Sequence, residues 1–562
     1  MKVERIDDIP IIFSKLGALE VENLINTHFP VHGNRQGCSL GTLCCVFLAY
    51  IVSESDHRLS HVEDWYMSLE QAIGYCTGHA DLSRLDFTDD RLGSLLDYFS
   101  DDACYAAFEA SLNQHIVSVY RLDKPNIDSK TVHLDATIGQ SYKSPSDLFS
   151  MGYAKHRRKD LPQFKAMLST LGTFGMPLCV DVVTGSTSDD VLYLPMVERV
   201  SRTLDTTGLL FVGDSKLGSL GNRSTIALKE HYYLTPLSRV QLPFETLKDM
   251  VATAESFIYV GEQADIQAFE HAISRSHEGH TWWERLITAY SPTYGASQRA
   301  QFDKTIAQTH EQIAQLTTLK QGKTSLKNEA ELRQKIDDIC HKTKTKAFFD
   351  VHIETTTTET LIRKYGNKPA EKRLKHDFKL TIKTNIDVID AHKVVLGWRV
   401  YATNAPQDML NTHKVIEAYK DEYKVEYRFN QLHNKTAALM PIYLQKDERI
   451  KALVRILMIA IKVLSLIQYE AREALEKTQT QVKELFPGNP GRNTNQPTAE
   501  MMLRAFTNIS LVIIVTENKQ KFIEISKISK VQKQILQIIG LKTTIYEDMT
   551  KFFLSKFKIS ET

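Results

Sequence analysis

Between residues 131 and 237 the chain changes period in a fixed order: three short β-type runs, then helix, strand, helix, strand. The runs are "TVHLDATI", "FKAMLSTLGTF" and "PLCVDVVTG", separated by the basic loop "KHRRKD" and by "GMP". They are short, apolar and bounded by turn formers, as strands are. "STSDDVLYLPMVERVSRTL" follows as a helix entered through Ser, Thr and Asp, and "LLFVGD" as an apolar strand ending on Asp214. "LGSLGNRSTIALKEH" and "YYLTPLS" complete the alternation. That order predicts an α/β domain, a mixed sheet with helices on its faces.

At 562 residues the chain exceeds one hydrophobic core. Residues 1–125 read as a helical N-terminal domain: "FTDDRLGSLLDYF" offers Thr88 or Asp89 as an N-cap, and "SDDACYAAFEASLNQHIVSVY" repeats the design. The sheet pattern fills 126–240. Residues 241–405 interrupt it with β-rich runs around a polar helical pair, which reads as an inserted domain. Residues 406–475 return to helix, first "YKDEYKVEYRFNQLHNK" and then a long apolar segment. Beyond the linker "FPGNPGRNTNQPT", residues 476–562 read as a lysine-rich helical C-terminal region.

The most apolar segment, "VRILMIAIKVLSLI", is interrupted by Arg455 and Lys462. It falls short of the roughly 20 apolar residues of a bilayer span, so a buried core helix is expected. "MKVERIDDIPIIF" has no apolar stretch behind a basic start, which argues against secretion. The seven cysteines form no CxxC pair and no zinc spacing, as expected of thiols in a reducing cytoplasm. A net charge of +1, from 69 basic and 68 acidic residues, neither demands nor excludes a nucleic-acid partner.

Three carboxylates stand out. Strand alternation puts His133, Asp135 and Thr137 on one face of the first strand. Asp214 ends a strand, where α/β sheets place ligands. A strand-end aspartate alone is commonly a cap or turn residue; two on neighbouring strands point to a site. The third comes from "YKDEYKVEYRFNQLHNK", read as one helix. At about 100° per residue, Glu422, Glu426, Phe429 and His433 fall within about 60° of one another, beside the apolar stripe of Ala418, Val425 and Leu432. A plain solvated helix puts its acids on the far side. The basic loop Lys155, Arg157, Arg158 and Lys159 reads as a phosphate contact or as a solvated charge run. Trp282, Trp283 and Trp398 read as core residues or as stacking partners for an unpaired base. His133 reads as a packed or hydrogen-bonding strand residue.

These segments resemble the DDE transposases of bacterial insertion sequences. "LDATIG" resembles the first Asp motif, "FVGDSKLGS" the second, and "YKDEYKVEYRFNQLH" the acidic helix. The family helix carries Tyr, Arg three residues on, Glu four further and Lys seven further. Tyr419 and Glu426 match, while Glu422 stands in the Arg position and His433 in the Lys position. "SKLGALEVENLINTHFP" with "RLSHVEDW", "GWRVYATNAP", and "QKDERIKALVRILMIAIKVLSLIQYEAR" with "QPTAEMMLRAF" are similar to flanking regions of one subgroup, which inserts a β-rich domain before the Glu helix.

The resemblance implies an RNase H-like catalytic core interrupted by the β-rich insertion, with helical N- and C-terminal regions. It implies Asp135, Asp214 and Glu426 as catalytic residues and ligands of two Mg²⁺ ions, with Mn²⁺ as a substitute. Such ions, about 3.5–4 Å apart, activate the nucleophile and stabilise the leaving oxygen. Asp135 would bridge the ions, and Tyr419 and His433 would contact DNA phosphates. It further implies double-stranded DNA as partner, both terminal inverted repeats and target, a homodimer in the synaptic complex, and a place in the bacterial cytoplasm at the nucleoid. Two rival readings stay open: an RNase H-like nuclease without strand transfer, and a DNA-binding derivative that has lost catalysis.

Overall fold

The computed structural model describes residues 1–122, 130–152, 160–172, 174–261, 265–318, 326–362, 371–434, 437, 439–489, 491–515 and 521–556. The chain folds as two units. The first comprises Met1–Thr235, Ser274–Glu284 and Thr403–Thr562; the second comprises Pro236–Ile273 and Arg285–Ala402.

Among the described residues the first unit begins with strand β1 (Lys2–Arg5) and the α-helices α1 (Ile9–Ala18), α2 (Val21–His28), α3 (Leu40–Glu54), α4 (Leu59–Ser68), α5 (Glu70–Thr77), α6 (Asp89–Phe99) and α7 (Asp102–Val119). Side-chain caps start several of them. Ser39 accepts from the Thr42 amide at 3.0 Å and Asp101 from the Cys104 amide at 2.8 Å, while Thr88, not Asp89, caps α6. Helix α3 is apolar all round and buried from Leu40 to Val52.

Five strands follow: β2 (Thr131–Gln140), β3 (Gln163–Leu171), β4 (Met176–Thr184), β5 (Leu210–Gly213) and β6 (Tyr232–Pro236). They lie in the order β4-β3-β2-β5-β6. The β2–β3 and β3–β4 pairs are antiparallel; β2–β5 and β5–β6 are parallel. Parallel neighbours need long crossovers. Helix α8 (Tyr193–Leu204) lies in the connection to β5 and α9 (Leu220–Leu228) in the one to β6. This is a mixed α/β sheet of the kind the alternation predicts.

The second unit holds α10 (Phe244–Ala252) and strand β7 (Ile258–Val260). The hairpin of β8 (Ile266–His277) and β9 (His280–Tyr290) follows, its tip belonging to the first unit. Next come α11 (Pro292–Ala314), α12 (Glu329–Thr343), β10 (Phe349–Ile362), β11 (Glu371–Thr384), α13 (Ile386–Lys393) and β12 (Trp398–Thr403). Strands β10 and β11 form an antiparallel ribbon paired from Phe349↔Thr384 to Ile362↔Glu371. Its base closes over a small core of Ile313, Leu332, Ile336, Cys340 and Ile353.

The rest of the first unit is α14 (Thr412–Lys420), α15 (Tyr423–Asn434), α16 (Asp447–Thr478), α17 (Ala499–Arg504), β13 (Ser510–Val515), β14 (Lys521–Ile525), α18 (Lys530–Ile538) and α19 (Ile545–Lys556). Helix α16 contains the apolar segment read as a core helix, and it is buried from Ala452 to Gln468. Its interrupting cations are satisfied internally. Lys462 donates to Asn113 at 2.5 Å and to the Leu178 carbonyl at 2.8 Å; Arg455 donates to the Phe99 carbonyl and pairs with Asp102. No helix among the described residues is long and apolar enough to cross a membrane.

The terminal regions differ from the purely helical reading. Strand β1 pairs antiparallel with β13, which pairs with β14, so residues from both ends of the chain build one three-stranded sheet. Glu4 anchors it, accepting from the Gln71 and Ala72 amides at 3.0 and 2.9 Å. Such pairing carries little local signal, because the partner strand that completes it is distant in sequence.

Asp8, just beyond β1, is 7% exposed and accepts from the Ser53 hydroxyl at 2.7 Å. Burial pushes its carboxyl up to about 7. Between about pH 4 and 7 the folded chain therefore keeps a proton that the unfolded chain has lost, and stability from this group falls as pH rises through that window. Asp8→Asn removes the effect. The wild type should lose on the order of 2–4 kcal/mol relative to this variant between pH 4 and 7.5, measured by denaturant unfolding. A stability difference that stays flat with pH would contradict the assignment.

Candidate functional site

The site grows from the parallel pairing of β2 and β5. Their register runs from Thr131↔Leu210 to Leu134↔Gly213, so Asp135 and Asp214 each stand one residue beyond the last pair. Neighbouring strands lie about 4.8 Å apart, which makes the two aspartates close neighbours. Both are half-buried. The Ala136 amide donates to Asp135 Oδ1 at 2.7 Å. Asp214 Oδ1 accepts twice, from the Tyr193 hydroxyl at 2.7 Å and the Lys216 amide at 2.8 Å. Its carbonyl is held by Thr235 Oγ1 at 2.7 Å and the Leu217 amide at 3.1 Å.

His133 and Thr137 flank Asp135 on the same face of β2. His133 is buried, and burial, aided by Lys424, lowers its pKa to about 3. It is a neutral packed residue, and among the described residues its Nδ1 has no hydrogen-bond partner. Thr137 Oγ1 lies 3.2 Å from His433 Nε2, so His433 turns toward the strand that carries Asp135.

The segment read as a single acidic helix is two. Helix α14 ends at Lys420 and α15 begins at Tyr423. Between them the amides of Glu422, Lys424 and Val425 bond three residues back, a tighter winding than the α-helix. Asp421 pairs with Lys424 at 2.8 Å in this turn. The constant rotation of 100° per residue fails across it, so Tyr419 and Glu422 are not on one helical face with Glu426. Within α15 the rotation holds. Glu426 and His433, seven residues apart, share a side of the helix, and Glu426 is exposed. Tyr419, at the end of α14, is half-buried.

Helix α15 is anchored by Arg428, which is 1% exposed. Its Nε donates to the Gly175 carbonyl at 2.7 Å, Nη2 to the Phe174 carbonyl at 2.9 Å and Nη1 to Gln431 at 2.7 Å. Gln431 in turn donates to Glu500 at 2.6 Å. Gly175 has φ +66°, a conformation that favours glycine, which shapes the β3–β4 turn presenting these carbonyls. Burial lowers the Arg428 pKa to about 10, so it stays charged at neutral pH. The sequence carried a signal for this residue, a cation beside the stripe of Val425 and Leu432, and reading the helix by its acids missed it.

Tyr193 was also missed, because it reads as an ordinary helix residue. It is buried at the first turn of α8, and its pKa is raised well above the usual value by burial, Asp214, Asp135 and Glu422. One buried phenol thus feels three of the acids drawn from β2, β5 and the α14–α15 turn. Carboxylate oxygens suit a hard divalent cation, and Asp135 with Asp214 supply such donors. Among the described residues no group of three or more His, Cys, Asp or Glu side chains is gathered to hold a metal ion. The aspartate pair is therefore brought together, and Glu426 stands outside a closed ligand set.

Lys155, Arg157, Arg158 and Lys159 lie outside the described residues. Trp282 is a core residue whose Nε1 donates to the Tyr233 hydroxyl at 2.9 Å. Trp398 packs against Phe257, Phe269 and Tyr290 in the second unit. Trp283 is 71% exposed.

No protein-family model matches the chain, and no curated protein matches its sequence. Among solved structures, a synaptic complex of piggyBac transposase with hairpin DNA aligns over 98% of this chain and 85% of its own, at 6% identity and a TM-score of 0.33. A TM-score at that level does not show a shared fold, and the alignment assigns no residue of the site.

Arg428→Met should leave the Gly175 and Phe174 carbonyls without their donor and lower stability by about 2–4 kcal/mol, at about 1–3 kcal/mol for each unsatisfied group. Urea unfolding measures it. A loss below about 0.5 kcal/mol would mean that Arg428 does not anchor α15.

Proposed function

We propose that the chain is a DNA transposase with an RNase H-like catalytic core, which binds the terminal inverted repeats of an insertion sequence, cuts DNA at their ends and joins them to target DNA. The observation that carries this reading is the parallel register of β2 and β5, with Asp135 and Asp214 side by side at adjoining strand ends. An antiparallel three-strand meander extended by two parallel strands through helical crossovers is the sheet this reading requires, and it agrees with the order β4-β3-β2-β5-β6.

Asp135 and Asp214 would hold Mg²⁺, or Mn²⁺ in its place, with Glu426 of α15 as the third carboxylate. When bound, the cations would polarise the scissile phosphodiester and the attacking water or 3′-hydroxyl. The chain's own groups set the stage. The Tyr193 hydroxyl and Lys216 amide fix one oxygen of Asp214. Arg428 and the His433–Thr137 contact hold α15 against the sheet. Tyr419, His433 and the basic run Lys155, Arg157, Arg158 and Lys159 would contact the DNA backbone. Joining two ends needs two active sites, so a homodimer would form with DNA bound.

The purified protein should be incubated with Mg²⁺, duplexes taken from both ends of its element and a plasmid target. Strand cleavage and joined products are expected. Asp135→Asn and Asp214→Asn should each lower cleavage by about 100-fold or more without unfolding the chain. Unchanged metal-dependent cleavage in Asp135→Asn would rule the reading out. Cleavage that never yields joined products would make the protein a nuclease instead.

A further inference from the structure

Tyr193 is placed with unusual specificity for a residue outside the acidic set. Its ring is 1% exposed, and its hydroxyl reaches Asp214 Oδ1 at 2.7 Å. The ring belongs to the buried face of α8 with Met196, Val197 and Val200. Its approach to β5 depends on Gly213: a Cβ added there would lie 3.0 Å from Tyr193 Cε1. Glycine before Asp214 thus lets the ring lie close beside the strand end, where a Cβ would force a shift of a few tenths of an ångström.

The hydrogen bonds to the Asp214 carboxylate are one-sided. Among the described residues, both the Tyr193 hydroxyl and the Lys216 amide donate to Oδ1. A carboxylate oxygen accepts about two donors, so Oδ1 is filled and Oδ2 keeps its lone pairs. A ligand carboxylate held in this way binds one cation with one defined oxygen, and outer-shell donors of this kind orient metal ligands.

We propose that Tyr193 is a positioning residue for Asp214, holding Oδ1 so that Oδ2 is the oxygen offered to a divalent cation. This rests on the transposase reading, in which Asp214 is a metal ligand. The Lys216 amide comes from the chain segment directly after Asp214 and moves with it. Tyr193 comes from a different element, so it fixes the carboxylate relative to the sheet and to Asp135. Nothing in the role requires the phenol to lose its proton; it acts as a constant donor.

Tyr193→Phe keeps the ring and removes the donor. Mn²⁺ binding to the full-length protein, followed by loss of the free-ion paramagnetic resonance signal, should weaken by about 10–100-fold, the usual cost of removing an outer-shell partner. The thermal midpoint should stay near that of the wild type, and cleavage by the variant should recover as Mn²⁺ is raised, a response that a purely structural defect would not give. Equal Mn²⁺ affinity in variant and wild type would overturn the proposal. A wild type that neither binds Mn²⁺ nor cleaves would instead overturn the transposase reading, and this proposal with it. Should Tyr193→Phe fail to fold, the wild type decides. Mn²⁺ should perturb tyrosine absorption, and Asp214→Asn should abolish that signal; binding that depends on Asp214 without any such signal also overturns the proposal.

Discussion

Two like charges side by side are the constraint around which the first unit is arranged. The parallel β2–β5 register brings Asp135 and Asp214 together although two strands and a helix intervene between them in sequence. Parallel pairing is what requires that excursion, since a crossover must return the chain to the same end of the sheet. Adjacent carboxylates repel one another when both are charged. The fold offsets this with donors, the Ala136 amide for Asp135, and the Tyr193 hydroxyl and Lys216 amide for Asp214. These bonds reduce the repulsion and bring no formal positive charge of their own.

The elements that were legible in the sequence are those whose signal is local. The three β runs became β2, β3 and β4, because each combines apolar side chains with a turn at its ends. Asp214 was visible because an apolar run stops on it. The caps of α6 and α7 were visible because Thr and Asp precede helical periodicity. Helix α16 was legible as a core helix since two buried cations marked it as unfit for a bilayer, and Lys462 with its two neutral acceptors explains how a core tolerates one.

What was not legible depends on contacts between distant residues or on a local break. The β1–β13 pairing joins the two ends of the chain, and neither strand shows its partner. Tyr193 owes its place to Asp214 and Gly213, which lie on another element. The break at Asp421 and Glu422 was hidden because every residue in "YKDEYKVEY" tolerates helix; no Gly or Pro announces it. The periodicity drawn through that break put Glu422 beside Glu426. In the structure Glu422 belongs to the turn, where its charge reaches Tyr193 together with those of Asp135 and Asp214.

That break also bears on how the third acid is presented. Helix α15 is held at its middle by Arg428 against the β3–β4 turn and near its end by His433 against Thr137. A helix fixed at two points, here about 140° apart around its axis, cannot rotate without breaking one of them. Glu426 lies N-terminal to both anchors, in the first turn of α15, beside the short tight segment that joins it to α14. Its remaining freedom is its own side-chain torsions and the adjustment of that one turn. The side of α15 that His433 directs at β2 is also the side of Glu426. The anchoring therefore fixes the direction in which Glu426 leaves the helix, while its exposed head stays open to solvent.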